Sequence, residues 1–202
     1  GEVDFDPGAG VFKLQSMGDR DIFLQKVDAE GNLLWALAFG DSGRDEGTGV
    51  AVDGLGNVYI TGNFRGTIDF DPGAEGGEVS EYDGSYACKF DSNGSLLWAT
   101  EFNGDRANAI TVEDGVGVCI TGSFDFYMTF YPPAQYYVEH EPVGESDAFV
   151  LLLDMNGYYV WSAALGGSGD LACMQEPACG VGPSGTAVGR ERNMAGGVAC
   201  PV

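Results

Sequence analysis

Asp28-Ala-Glu-Gly31-Asn-Leu-Leu-Trp35 returns as Asp91-Ser-Asn-Gly94-Ser-Leu-Leu-Trp98 and again as Asp154-Met-Asn-Gly157-Tyr-Tyr-Val-Trp161. Successive Trp residues are 63 positions apart. Other blocks travel with this one. Val58-Tyr-Ile-Thr-Gly-Asn-Phe64 reappears as Val118-Cys-Ile-Thr-Gly-Ser-Phe124, and Val3-Asp-Phe-Asp-Pro-Gly8 as Ile68-Asp-Phe-Asp-Pro-Gly73. A third copy of the last block, Met128-Thr-Phe-Tyr-Pro-Pro133, is degenerate. Three blocks in one order at nearly the same period mean a repeat protein.

Each repeat reads as four strands. The first is Asp21 to Val27, matched by Gly84 to Phe90 and Asp147 to Leu153. The second alternates large and small: Leu33, Trp35, Leu37 and Phe39 oppose Leu34, Ala36 and Ala38. A period of two means a strand with two unlike faces. The third strand is Val50 to Val52, matched by Ile110 to Val112, and the fourth is Val58 to Phe64. Asp at the first place and Gly at the fourth place of the intervening turns suit a type I turn in which the Asp side chain accepts a backbone N–H. Four short strands with turn residues at fixed offsets predict an all-β fold of consecutive four-stranded antiparallel blades of a β-propeller. Blades are expected at about 21–73 and 84–133, with the end of one blade at 1–8 and a partial blade at 147–166. A ring of 4–8 such units needs ~250–500 residues. This chain, read as a fragment or processed chain because it begins at Gly1, is therefore expected to form an open arc.

These residues resemble the bacterial β-propeller repeats called SBBP repeats. There, a block like Asp21 to Trp35 precedes one like Gly56 to Phe64. The resemblance covers roughly residues 1–166 and implies a large surface or secreted parent protein. Departures are Ser85-Tyr-Ala-Cys88, the degenerate Met128 block and everything after Asp170. The Asp…Gly…Trp block is also similar to the Asp-box turn of sialidase-like propellers, although its spacing differs. In that family the box is structural, so the likeness imports no catalysis.

The bulk composition agrees. There are 33 Gly and 24 aromatic residues, and 31 acids against 9 Lys plus Arg give a net charge of -22. Such a surface repels phosphate backbones, which excludes nucleic-acid binding. It suits solubility, cations or cationic partners. No apolar run approaches the ~20 residues of a membrane-spanning helix. Of five Cys, Cys88 and Cys119 fall in strands as buried thiols, and Cys173, Cys179 and Cys200 lie in the tail without zinc-ligand spacing.

The candidate metal ligands are Asp4, Asp6, Asp69 and Asp71. Residues i and i+2 of a strand share a face, so each pair of carboxylates points together while Phe5 or Phe70 points inward. Paired hard oxygens suit Ca²⁺. The third copy keeps Phe130 and Pro132 but replaces the acids with Thr129 and Tyr131, which favours strand-end turns with solvated acids. Asp41-Ser-Gly-Arg-Asp45-Glu46 and its counterpart Asn103-Gly-Asp105-Arg106 are read as loops. In them Ser42, Asp45 and Glu46 could meet a cation or sugar hydroxyl, and Arg44 and Arg106 could pair with local acids. The single His140 lies in a polar connection, so no catalytic Ser-His-Asp or Cys-His set is assigned. Asn93-Gly-Ser95 is a formal glycosylation sequon on a turn.

The expected function is a non-catalytic scaffold or interaction module, extracellular or at the cell surface. No cofactor is expected, Ca²⁺ apart. Partners are a protein or glycan ligand, further blades or a second copy. The alternatives are a propeller hydrolase whose site lies partly elsewhere, and a Ca²⁺-binding surface protein. Residues 167–202 hold no aromatic residue. They are expected to be a degenerate, poorly ordered tail, with no strand at Thr186 to Arg192, because little apolar area offsets the ordering entropy.

Overall fold

The computed structural model describes residues 1–72, 77–103, 106–130 and 137–167, apart from the side chain of Tyr82, and the backbone of 171–172, 186–191 and 194–199. The chain is all-β. Its strands are β1 (Glu2–Asp4), β2 (Lys13–Gln15), β3 (Ile22–Val27), β4 (Leu33–Phe39), β5 (Glu46–Val52), β6 (Val58–Asp69), β7 (Glu78–Phe90) and β8 (Leu96–Phe102). There follow β9 (Arg106–Glu113), β10 (Gly117–Phe124), β11 (Met128–Phe130), β12 (Val138–His140), β13 (Asp147–Leu153) and β14 (Tyr159–Leu165). The last three are β15 (Leu171–Ala172), β16 (Thr186–Glu191) and β17 (Met194–Ala199).

Two four-stranded antiparallel sheets, β5-β6-β7-β8 and β9-β10-β13-β14, stack with the two-stranded sheet β3-β4 as an open arc of propeller blades. The sheets do not coincide with the sequence repeats. The repeat suggests blades at 21–73 and 84–133, whereas the sheets span 46–102 and 106–165. The cause is local pairing. The fourth strand of one repeat turns back as a hairpin onto the first strand of the next, with Val58 opposite Phe90 and Asp69 opposite Glu78. The change of sheet falls instead between strands two and three, at Gly40 to Asp45. Strands β13 and β14, expected as a partial blade, thus complete the second sheet.

The hairpin ends carry small flaps. Residues 1–8, expected as the end of a blade, contribute β1, which pairs with β2. The degenerate Met128 block forms β11, paired with β12. Phe70 and Phe130 are buried at equivalent places, with ring centroids 5.1 Å from Phe39 and 5.8 Å from Phe102 respectively.

The third strands are longer than expected, because Gly47 and Gly49 read as loop residues but pair with β6. Lack of a side chain is what the packing needs there. A Cβ on Gly49 would lie 3.1 Å from Ile110 of β9, so glycine lets the first strands of the two sheets approach. Thr48 Oγ1 donates to Ala107 O across this contact at 2.7 Å.

Alternation on β6 and β7 divides the core. Val58, Ile60, Phe64, Tyr86, Cys88 and Phe90 pack toward β3 and β4, with Trp35 and Leu37. Tyr59 and Ala87 point the other way, to Val118, Ile120, Phe149 and Leu151, with Trp98 at the edge.

The Asp-x-x-Gly turns close the hairpins at one rim. Asp28 Oδ1 accepts from Glu30 N at 3.0 Å and Asn32 N at 2.8 Å. Asp91 does the same to Asn93 and Ser95, and Asp154 to Asn156 and Tyr158. The fourth-place glycines Gly31, Gly94 and Gly157 have φ of 86°, 89° and 84°, and the ladder shifts register beside each turn, as in a type I turn with a bulge.

The turns headed by Asp91 and Asp154 also receive the preceding sheet. Trp35 Nε1 donates to Ser92 O at 3.2 Å and Lys26 Nζ to the same oxygen at 2.8 Å. One repeat on, Trp98 Nε1 donates to Met155 O at 3.2 Å and Lys89 Nζ to it at 3.3 Å. The indoles lie over Gly94 and Gly157.

Thr186–Glu191, expected not to form a strand, pairs with Met194–Ala199 and Leu171–Ala172 in a separate three-stranded sheet. Backbone pairing in a local hairpin requires no aromatic core. Cys173, Cys179 and Cys200 lie outside the described residues.

Replacement of Gly31 or Gly157 by Ala tests the role of the turn as a platform. Both substitutions pay about 1–2 kcal/mol for a left-handed L-residue. Only at Gly157 would the new Cβ meet the indole, 2.7 Å from Trp98 Cδ2; nothing lies within 4 Å at Gly31. We expect Gly157→Ala to lose a further ~1–3 kcal/mol in urea unfolding from this overpacking. Equal losses would refute the platform role.

Candidate functional site

Opposite the tight turns lies a rim of longer connections, where β5 and β9 begin and where the β3 and β4 sheet meets the next one. Three aspartates gather there around Gly40. Asp45 is 1% exposed; its Oδ2 accepts from Asp41 N at 3.0 Å and its Oδ1 from Arg65 N at 3.3 Å. Asp41 Oδ2 accepts from Thr67 N at 3.2 Å. Asp21 Oδ2 accepts from Met17 N and Gly18 N, while its buried Oδ1 has no partner among the described residues. A Cβ on Gly40 would lie 3.0 Å from Asp45 Oδ2 and closer still to Asp21 Oδ1, so glycine makes room for the carboxylates. Asp147 repeats the Asp21 arrangement against Gly166. It is buried, its Oδ2 accepts from Val143 N at 2.7 Å, and its Oδ1 is unpartnered among the described residues.

Burial pushes the Asp45 carboxyl above its ordinary value, and the charges of Asp41 and Asp21 add to the rise against the two backbone N–H groups. The turn aspartates move oppositely. The Asn32 amide leads in holding Asp28 low, and Ser95 N–H leads for Asp91. At Asp53 burial raises the carboxyl, but Asn57, Tyr59 and Leu55 together bring it below its usual range. Burial, together with the Asp53 contact, lifts the Tyr59 phenol well above its ordinary range.

Arginines ring these aspartates. Glu46 Oε1 accepts from Arg20 at 2.6 Å and from Arg44 at 2.7 Å. Arg65 grips Asp83 in fork geometry, Nε and one terminal nitrogen each 2.9 Å from a carboxylate oxygen. Arg106, at the start of β9, makes no ion pair among the described residues. A cleft of about 430 Å³ is lined by Arg44, Glu46, Asn63, Arg65, Asp83 and Arg106, with Asn108 beside them. Asn63 is fixed there, accepting from Ala107 N at 2.8 Å and donating to Ala107 O at 3.3 Å. The loop reading of residues 41–46 foresaw Arg44 pairing with a local acid. It missed Arg20, Arg65 and Asp83, which come from separate segments. Their only advance signal is the scarcity of cations in an acidic chain.

The four candidate metal ligands sit in two separate turns, Asp4 and Asp6 at the end of β1 and Asp69 and Asp71 at the end of β6. Asp4 Oδ1 accepts from Phe12 N at 2.9 Å and Asp6 N at 3.1 Å, Asp6 Oδ1 from Gly8 N at 2.7 Å, and Asp69 Oδ1 from Asp71 N at 2.9 Å. Each of these bonds satisfies the backbone of its own turn. Among the described residues no group of three or more His, Cys, Asp or Glu side chains is arranged to hold a metal ion. His140 is half-buried; its Nε2 lies 2.8 Å from Ser162 Oγ, and burial lowers its pKa. Cys88 and Cys119 are buried and not joined by a disulfide.

Comparison with known proteins bears on the fold. Residues 34–63 match the family model described as SBBP, a β-propeller repeat. An uncharacterized WD repeat-containing protein of Acanthamoeba polyphaga mimivirus is 24% identical over 170 residues, covering 71% of this chain. The match spans 12% of that relative's length. Residues 34–63 thus carry a β-propeller repeat, and both matches are consistent with the all-β sheets described above.

Two measurements probe the acids. Because the folded pKa of Asp45 is raised, its stabilising contribution is fully present below the unfolded value near 3.8 and is lost as pH rises through the folded value. We expect Asp45→Asn to gain stability relative to the parent as pH rises from about 4 to 7; a pH-independent difference would contradict the assignment. For the flaps, melting temperatures in Ca²⁺ and matched Mg²⁺ are expected to agree. A Ca²⁺-specific gain approaching ~2.7 kcal/mol at 100 times Kd, lost on combining Asp69→Asn with Asp71→Asn, would establish a metal site instead.

Proposed function

We propose that the chain is a non-catalytic interaction module of a secreted or cell-surface protein, and that its repeats present the loop rim to a protein or glycan ligand. The observation that carries this reading is the use of the acids. At the four Asp-x-x-Gly turns headed by Asp28, Asp53, Asp91 and Asp154 the carboxylate is bonded to backbone N–H groups of that turn. Those groups serve the repeat. A hydrolase would require non-repeating carboxylates facing one another across a substrate. At the loop rim Asp21, Asp41 and Asp45 are bonded to backbone N–H groups, and beside them stand arginines with their carboxylate partners Glu46 and Asp83, an arrangement suited to recognition.

Turnover and location test the proposal. The chain should hydrolyse no member of a glycoside and ester panel, and antibodies against it should label intact source cells or their medium. Turnover abolished by a single point substitution would overturn the non-catalytic reading. Labelling only after cell lysis would overturn the extracellular one.

A further inference from the structure

Arginine placement at the loop rim is far from uniform. The sequence holds six Arg and three Lys against 31 acids. Within residues 1–167 all four arginines, Arg20, Arg44, Arg65 and Arg106, converge on this rim from four segments. The lysines are used elsewhere. Lys26 and Lys89 bind the turns of the next sheet, and Lys13 pairs with Glu2. In the cleft itself three guanidinium groups face two carboxylates, within a chain of net charge -22. Arg20 adds a fourth guanidinium behind Glu46.

We propose that this cleft binds the carboxylate of an acidic sugar unit, with Arg106 as the principal ligand and Arg44 and Arg65 as its flanks. The proposal deepens the interaction-module reading by naming the ligand class. Guanidinium forks match planar carboxylates in bidentate geometry, and the cleft already holds that arrangement between Arg65 and Asp83. Its volume of about 430 Å³ suits a small ligand. Asn63 and Asn108 place amides beside the charged groups, where ring hydroxyls would sit. The walls are polar apart from the buried Phe64, so they offer no pocket for an apolar peptide anchor. A neighbouring cavity of about 950 Å³ shares Glu46 and Asn108 with the cleft and is also lined by Arg20 and the exposed Phe23 ring. A further sugar unit would extend there.

Titration of the whole chain, followed through the ¹H–¹⁵N signals of the arginine Nε groups at fixed ionic strength, tests this. The probes are glucuronate, glucose, sulfate, inorganic phosphate and hexaglutamate. Saturable shifts with glucuronate, at least about tenfold tighter than with glucose, are expected, since a charge-assisted pair exceeds one factor of ten. Arg106→Gln should weaken binding about tenfold. Asp83→Asn should tighten it by releasing the Arg65 fork. Both residues are exposed, and the same spectra report whether each variant is folded. Several results would overturn the site: no saturable shift, equal binding of glucose, or unchanged binding in Arg106→Gln. Tighter binding of sulfate or phosphate would overturn the carboxylate assignment, and tighter binding of hexaglutamate the sugar assignment. A null titration leaves the interaction-module reading standing, and detected turnover would leave a positive titration standing.

Discussion

Everything in the arc depends on one contact, the indole of one sheet resting on the glycine of the next sheet's Asp-x-x-Gly turn. Antiparallel pairing makes each sheet but does not join sheets. Joining requires a surface that sits at a fixed height above its neighbour. The turn supplies it because the aspartate accepts two backbone N–H bonds and the glycine, with φ near 85–90°, presents bare backbone to the ring. The Trp N–H and the Lys ammonium then share one carbonyl, Ser92 O in the first instance and Met155 O in the second. A hydrogen bond from a charged donor and a broad apolar face thus act on the same four residues.

The mismatch between repeat and sheet strengthens that coupling. A sheet drawn from one repeat could separate from the next by breaking side-chain contacts alone. Here β5 and β6 come from one repeat and β7 and β8 from the next, so the boundary between repeats runs through a ladder from Val58–Phe90 to Asp69–Glu78. The boundary between sheets falls at Gly40 to Asp45, where buried carboxylates bonded to backbone N–H groups hold the crossing. These two junctions are thereby spanned, the first by backbone pairing and the second by a backbone-carboxylate network.

Legibility in the sequence followed the range of each interaction. The Trp positions, the Asp-x-x-Gly turns and strands such as Leu33–Phe39 and Asp147–Leu153 were readable because local periodicity and turn chemistry determine them. The full β5 was not, since Gly47 and Gly49 resemble a loop until Ile22 and Tyr86 are seen against the first and Ile110 against the second. Sheet phase was hidden for a related reason: a repeat defines a period but no starting point. The rim was least visible. Arg20, Arg44, Arg65 and Arg106 are separated by 24, 21 and 41 positions, and no local pattern connects them.

The charge balance links fold to rim. Asp28 and Asp91 remain ionised below the usual carboxylate range because backbone and amide N–H groups surround them. Much of the acidic excess is therefore a consequence of building turns from aspartate, repeated along the chain. Long-range repulsion among such charges is screened beyond ~10 Å at ordinary ionic strength, so it costs the fold little. It does alter what a concentrated positive site means. In a chain with few cations, an arginine set beside the aspartate network at the crossing between sheets cannot be explained as general solubilising charge. Its position follows from the architecture, since β5, β6, β7 and β9 all bring their ends to that rim, where side chains from both sheets enclose a common cleft.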